Sequence, residues 1–244
     1  MRIVFFGTSH GIPEPNKKCS SALVEVGGKR YIIDMGANAA EQLITRGMRL
    51  ESINAIFITH MHGDHTDGLI PFLDLCSWAF RDADPAIFVP ANVEAVSNAV
   101  NAWLVCTCLS KLREFDYRTV HTGEIFDDGN IKVTAYRTKH CAESYAYLIE
   151  AEGKRVLFSG DMSYRVGPSD FPTEVLDLPL DLAICECAHF TADKYLPIFE
   201  GNENLKRLCF NHFSEKLAPS AIELKDRLPE LGIFLAQDGM EISL

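Results

Sequence analysis

Apolar residues in this chain come in short runs whose period changes along the sequence. Residues 2–6 read as a strand, and residues 22–26 and 30–34 flank Gly27-Gly28, a pair suited to a tight hairpin turn. Residues 37–47 carry a helical pattern with Gly47 as its stop. Residues 55–59 are a continuous apolar run containing β-branched side chains, the mark of a strand covered on both faces. Helix is expected over about residues 67–80, a strand at 86–89, and helix again from Asn92 into the 100s. The second half reads as strands at 132–138 and 146–150, a turn at Glu152-Gly153-Lys154, and a strand at 155–159. Further strands are expected at 182–185, 207–210 and 233–236, with a helix at 219–228 that stops before Pro229. No repeat and no Ser-, Pro- or charge-rich linker interrupts the series. Each half therefore carries several strands and outer helices, which predicts a four-layer α/β sandwich better than one open sheet.

Composition narrows the function classes. With 244 residues, 47% hydrophobic and 23% charged, the chain is neither disordered nor fibrous. The formal charge of −11 repels a phosphate backbone, and Lys17-Lys18 and Lys154-Arg155 are too sparse to form a nucleic-acid track. No apolar run reaches the roughly 18 residues of a membrane span; residues 102–109 come nearest and contain Thr107. The first residues are strand-like and lack the pattern of a secretory signal, so a cytoplasmic protein is expected. Eight cysteines occur without a C-x-x-C pair, and Cys106-x-Cys108 and Cys185-x-Cys187 read as buried reduced thiols.

The candidate chemistry lies in Thr59-His60-Met61-His62-Gly63-Asp64-His65, directly after the buried strand. Three imidazoles and a carboxylate within six residues are costly to bury unless something satisfies them. On an extended loop His60 and His62 project to one side, and after Gly63 the chain can turn Asp64 and His65 toward a neighbouring point. Three further donors sit at expected strand ends: His140, Asp161 and His212. Any one of them alone could be a core histidine or a turn aspartate. Together they make five imidazoles and two carboxylates, enough to hold two divalent cations, with donors that suit Zn²⁺ and also Mn or Fe.

The cluster resembles the first motif of the metallo-β-lactamase superfamily, H-x-H-x-D-H, and the order of the later donors is similar along nearly the whole chain. Within that superfamily the ribonuclease Z branch is the most similar. Phe6-Gly7-Thr8-Ser9-His10-Gly11-Ile12-Pro13 resembles its opening motif, and Ser159-Gly160-Asp161 and His212-Phe213-Ser214 echo it further on. The resemblance implies one αββα domain over residues 1–244, with the site at the sheet edges. It implies that His60, His62 and His140 hold a first metal, that Asp64, His65 and His212 hold a second, and that Asp161 bridges them.

Two departures from that branch matter. The branch carries a long tRNA-gripping arm between the positions of His140 and Asp161, where this chain has room only for a hairpin. It also carries a His-Ser-Thr tripeptide upstream of the last ligand, whereas here His189 is the sole histidine between Glu186 and His212.

The expected function is a dinuclear-metal hydrolase using a metal-bridged hydroxide. Asp64 would orient the nucleophile and take its proton, and His189 would protonate the leaving oxygen. Asp34 and Glu186 are candidates to hold imidazole N–H groups. An acidic protein with a locally positive cleft favours a small anionic substrate, such as a nucleotide-type phosphodiester, over a long polyanion. Lactone or thioester hydrolysis is the competing chemistry; tRNA 3′ processing and a non-catalytic metal-bound module are the others. A homodimer is compatible with the sequence. His10 lies in the loop that the resemblance places near the metals, where substrate contact and turn chemistry are both open.

Overall fold

A computed structural model of the chain describes residues 1–107, 113–163 and 165–244. The strands, in chain order, are β1 (Arg2–Gly7), β2 (Ser21–Val26), β3 (Lys29–Ile33), β4 (Ile53–Phe57), β5 (Ala86–Val89), β6 (Tyr117–Thr119), β7 (Gly123–Asp127), β8 (Lys132–Arg137), β9 (Tyr145–Ala151), β10 (Lys154–Phe158), β11 (Leu182–Cys187), β12 (Arg207–Phe213), β13 (Gly232–Leu235) and β14 (Glu241–Ser243). They form two seven-stranded mixed sheets, ordered β14-β1-β2-β3-β4-β5-β6 and β13-β12-β11-β10-β9-β8-β7. The helices are α1 (Ala39–Thr45), α2 (Gly63–Thr66), α3 (Leu69–Trp78), α4 (Val93–Cys106), α5 (Leu196–Phe199) and α6 (Ala218–Arg227).

Alternation along the strands explains the layering. In β1, Ile3 and Phe5 point into the core between the sheets, while Val4 and Phe6 point to the opposite face, under α1 and α3. In β9, Tyr145, Tyr147 and Ile149 face inward, while Ala146 and Leu148 face the outer cluster on which Tyr195, Phe199 and Leu224 pack. Each sheet is thus buried on both faces, which is why its strands read as continuous apolar runs. The expected α/β sandwich of two mixed sheets, layered αββα as in the metallo-β-lactamase fold, is what the chain forms.

Three strands lie outside the expected set. β6 and β7 are edge strands with mostly half-exposed or exposed residues, and β14 has one buried residue of three. An edge strand needs apolar side chains on few positions, so its hydrophobic pattern is faint. The helix expected over about residues 67–80 is α3, which starts just after Gly68, and a separate one-turn helix, α2, precedes it. At Gly68 the backbone runs so close to the segment after β3 that a Cβ would lie 2.3 Å from the Ala37 carbonyl oxygen. Cys185 and Cys187 are buried free thiols, whereas Cys106 is exposed and Cys108 lies outside the described residues. Among the described residues no helix is long and apolar enough to cross a membrane.

The parallel pairs β3-β4-β5 and β10-β11-β12 send their carboxyl ends to one rim of the sandwich. The sheets are clasped at that rim. Tyr145 N donates to Thr59 O at 2.9 Å, and Phe213 N donates to Thr8 O at 3.2 Å. Carboxyl strand ends are where side chains can leave the sheet yet stay anchored by it, and ligands bind there in open α/β sheets.

Candidate metal centre

From the first sheet, β4 continues through Ile58 and Thr59 to His60, which is fully buried. The extended course expected through His62 and the turn expected after it are both present: His62 is extended at the N-cap of the one-turn helix α2, which begins at Gly63, and Asp64 and His65 lie inside that turn. Gly36 makes the approach possible, because a Cβ there would stand 1.7 Å from the Asp64 carbonyl oxygen. At the end of β3, Asp34 takes a positive φ of 58° and turns its carboxylate back under the cluster. Its Oδ1 accepts from Thr59 N at 2.7 Å, and its Oδ2 accepts from His65 Nδ1 at 2.8 Å.

From the second sheet each strand end delivers one donor. His140 follows β8, and its Nδ1 donates to the Met162 carbonyl at 3.2 Å, which turns Nε2 to the site. Asp161 follows β10 after Gly160, whose φ of 58° only glycine adopts freely. His212 lies inside β12 with φ 55°, a left-handed kink that carries its ring out of the strand's alternation. Glu186, on β11, accepts from His189 Nδ1 at 2.9 Å, and also from Met162 N.

These side chains converge. Candidate ligand atoms of His60, His62 and His140 lie within 4.8 Å of one another, and so do those of Asp64, His65, Asp161 and His212. His62 Nδ1 is 3.0 Å from His60 Nε2 and 3.1 Å from His140 Nε2. Asp161 stands between the groups: its Oδ2 is 3.7 Å from both His60 Nε2 and His140 Nε2, and 3.2 Å from His212 Nε2. Its Oδ1 is 3.3 Å from His65 Nε2.

Electrostatics divide the cluster. Burial and neighbouring imidazoles, His65 foremost, push the His60 pKa far down, so its lone pair is free. Burial lowers His140 as well. His65 goes the other way: burial disfavours its charge, but the Asp161 and Asp34 carboxylates outweigh that and hold its pKa well above the usual imidazole value. Asp161, whose burial would raise it, is held far below the carboxylate range by His212 and His65.

Two of the buried ligand atoms face each other at 3.3 Å without hydrogen-bond geometry. His65 Nε2 and Asp161 Oδ1 are both buried and lack a hydrogen bond. Orphaned polar atoms of this kind are costly, and a cation between them would satisfy both. Imidazole nitrogens pointed inward at a shared carboxylate are also the donors that hard-to-borderline divalent cations take. The residues present therefore fit a pair of such ions.

Over this cluster opens a cleft of about 310 Å³, lined by His62, Asp64, His140, His189 and His212 together with His10, Gly11 and Ile12. His189 stacks edge-on against His140, with ring centroids 4.8 Å apart. His10 borders the cleft but is turned into its own loop, where Nδ1 accepts from Ile12 N at 3.3 Å and Nε2 lies 3.4 Å from Glu14. His121 is exposed and bonds the neighbouring Thr122 carbonyl. Thr59 is a contributor that spacing did not single out: its hydroxyl links Asp34 to His60 Nδ1 at 3.2 Å. Its place directly before His60 is the one signal the sequence offers.

The family model described as Anti-Pycsar protein Apyc1 matches residues 1–175. The chain belongs to this family. As an Apyc1-family protein it sits in the ribonuclease Z-like branch of the metallo-β-lactamase superfamily. It is 32% identical over 157 residues to ribonuclease Z of Thermosynechococcus vestitus, a match covering 64% of this chain and 38% of that protein. The chain spans about half or less of the length of the curated ribonuclease Z proteins it matches. Its fold is similar to human tRNase Z, short form, with a TM-score of 0.76 at 23% identity over 100% of this chain and 99% of that one. A diphosphatase from the PhnP family shares the fold with a TM-score of 0.68 at 23% identity, over 100% and 97% of the two chains.

Proposed function

We propose that this protein hydrolyses a small phosphodiester of the nucleotide type, with two divalent metal ions, Zn²⁺ in the first instance, held by its seven clustered donors. The observation that carries the proposal is the convergence of five imidazoles and two carboxylates beneath a small cleft that also holds a separately anchored histidine. His60, His62 and His140 would hold one ion, Asp64, His65 and His212 the other, and Asp161 would reach both. Bound there, such ions supply the positive charge and the activation of water that cleavage of an unactivated ester requires.

The chain's own residues do the rest. Asp64 borders the cleft with its carboxylate partly exposed, where it can orient a water and accept its proton. Across the cleft, Glu186 engages His189 Nδ1, which fixes the imidazole and leaves Nε2 to donate a proton to the departing oxygen. Burial opposes charge on His189, but the Glu186 hydrogen bond and charge outweigh it and raise its pKa, which suits a proton donor. Glu186 is itself held by Met162 N, Ala188 N and His189 N, so the donor is mounted on a rigid base.

Size and charge support a small substrate. The cleft volume lies at the low end of the roughly 300–1,000 Å³ typical of small-molecule sites. Between His140 and Asp161 the chain is only the β9–β10 hairpin, so nothing there extends to grip a long RNA. With a formal charge of −11, the surface stays acidic even with two cations bound, which disfavours a polyanion.

The test is a substrate panel on zinc-loaded protein: cyclic mononucleotides and bis(p-nitrophenyl) phosphate, against aryl lactones and thioesters, against a precursor tRNA. Turnover of the phosphodiesters at rates well above the other classes is expected. Cleavage confined to lactones or thioesters would overturn the assignment, and efficient tRNA trimming would replace the small substrate by RNA.

A further inference from the structure

Beneath the metal cluster, and sharing His65, Asp161 and His212 with it, lies a small cavity of about 20 Å³. Ala22, Ile33 and Ile184 give it apolar lining, and Asn211 and His212 border it together with Asp34, Glu186 and the cluster's His65 and Asp161. By volume it holds one water molecule, which needs roughly 10–15 Å³ of this measure.

The imidazoles above it are not equally supported. His60 Nδ1 meets the Thr59 hydroxyl at 3.2 Å, His65 Nδ1 meets Asp34 at 2.8 Å, and His140 Nδ1 meets the Met162 carbonyl at 3.2 Å. His212 is 4% exposed and directs Nε2 toward Asp161 and Asp64, yet its Nδ1 has no hydrogen-bond partner among the described residues. Asn211, 6% exposed, is in the same position: its Nδ2 donates to Ser20 Oγ at 3.3 Å, but its Oδ1 has no partner. A donor and an acceptor thus border one water-sized cavity, each buried and each unmatched. Imidazoles that hold metals nearly always give their second N–H to a carboxylate, a carbonyl or a water.

We infer that this cavity is a binding site for one ordered water, which accepts from His212 Nδ1–H and donates to Asn211 Oδ1. The water does for His212 what Asp34 does for His65: it fixes the tautomer with Nε2 toward the cluster. Asn211 is then a positioning residue, acting on the centre through the water and through His212. The need is sharpest at His212 because its backbone, at φ 55°, sits in the left-handed region, where a β-carbon is strained unless its surroundings hold it. This inference rests on the two-metal reading of the site.

The experiment pairs metal affinity with diffraction. In chelator competition with Zn²⁺ alone, wild-type protein should bind two ions. Asn211→Leu, which keeps the shape but removes the acceptor oxygen, should weaken one of the two about 10–100-fold and leave the other within about twofold. Asn211→Asp keeps the acceptor and should restore affinity, which a purely steric role would not explain. Ser20→Ala, a milder change that frees the Asn211 amide, covers the case in which the leucine variant does not fold, and should weaken the same ion by a smaller factor. A high-resolution crystal structure of the zinc-loaded protein should show a density peak within hydrogen-bond distance of His212 Nδ1 and Asn211 Oδ1. A dry cavity, or two ions bound equally tightly by wild type and Asn211→Leu, overturns this inference alone. Failure of wild type to bind two zinc ions overturns the two-metal reading beneath it.

Discussion

The two halves of the centre are built in opposite ways. His60, His62 and His140 form a group with no carboxylate of its own, and His62 stands exposed at the cleft. Asp64, His65, Asp161 and His212 form a group that is almost wholly buried and carries two carboxylates, with Asp34 behind it. In the open group burial keeps the histidines His60 and His140 neutral, ready to donate lone pairs. In the buried group the carboxylates draw positive charge so strongly that His65 keeps a proton well above its ordinary pKa. The lesson is that one group offers access and the other offers affinity. Under the proposed function, a cation in the buried group would replace a charge the fold already demands, whereas one in the open group would depend on neutral ligands and on Asp161 reaching across.

The sharpest way to break that comparison is Asp161→Asn, because the Asp161 carboxylate stands between the two groups. Turnover should fall to background, and bound zinc should drop below two per chain, read by elemental analysis of the purified variant. Retention of both ions would show that the carboxylate is not shared.

Next in size is the contrast between the two groups themselves. His65→Ala leaves the buried carboxylate of Asp34 without its imidazole and with only Thr59 donating to it, so metal-free stability should fall by about 3–5 kcal/mol in chemical denaturation. His62→Ala removes an exposed side chain and should change metal-free stability by no more than about 0.5 kcal/mol, while abolishing turnover and costing one bound ion. Equal destabilisation by the two variants would erase the distinction between access and affinity.

His189 tests whether the cleft has a donor independent of either group. His189→Ala should leave metal content unchanged and slow esters with poor leaving groups about 10²–10⁴-fold, with little effect on p-nitrophenolate departure. A uniform loss across leaving groups would remove it as the proton donor.

The smallest effect sets the scale for a carboxylate away from the cluster. Asp128 accepts from Lys29, Tyr31 and two backbone amides; burial would raise its pKa, but these bonds, Lys29 first, hold it down at about 2. Its contribution is complete above the unfolded carboxylate value near 3.8 and is lost as pH falls through about 2. Asp128→Asn should cost about 1–3 kcal/mol at neutral pH, and less at pH 2 to 3, with zinc affinity unaltered.

Much of this was legible in the chain. The buried strands β1, β4 and β9 announce themselves because both faces are covered, and the first motif does so because four donors lie within six residues. The α/β sandwich follows from the same runs. Other features depend on tertiary packing. The one-turn helix α2 forms because Gly36 lets the Asp64 backbone press against the first sheet, a contact that no local pattern encodes. Strands β6, β7 and β14 pair at edges or ends, where burial is too slight to leave a period. Asp34 and Glu186 could be named as carboxylate partners of imidazoles, but their pairing with His65 and His189 respectively is set by the meeting of strand ends. The left-handed turn at His212 and the cavity behind it carry no sequence signal, because both arise where the two sheets meet.

The measurement that bears most directly on the account is zinc titration of metal-stripped protein, with native mass spectrometry and bis(p-nitrophenyl) phosphate hydrolysis followed on the same samples. The account predicts stepwise uptake of two ions per chain, the buried group filling first, with hydrolysis rising only as the second ion binds. Full hydrolysis by protein carrying no ion or one ion, or saturation at a single ion, would contradict it.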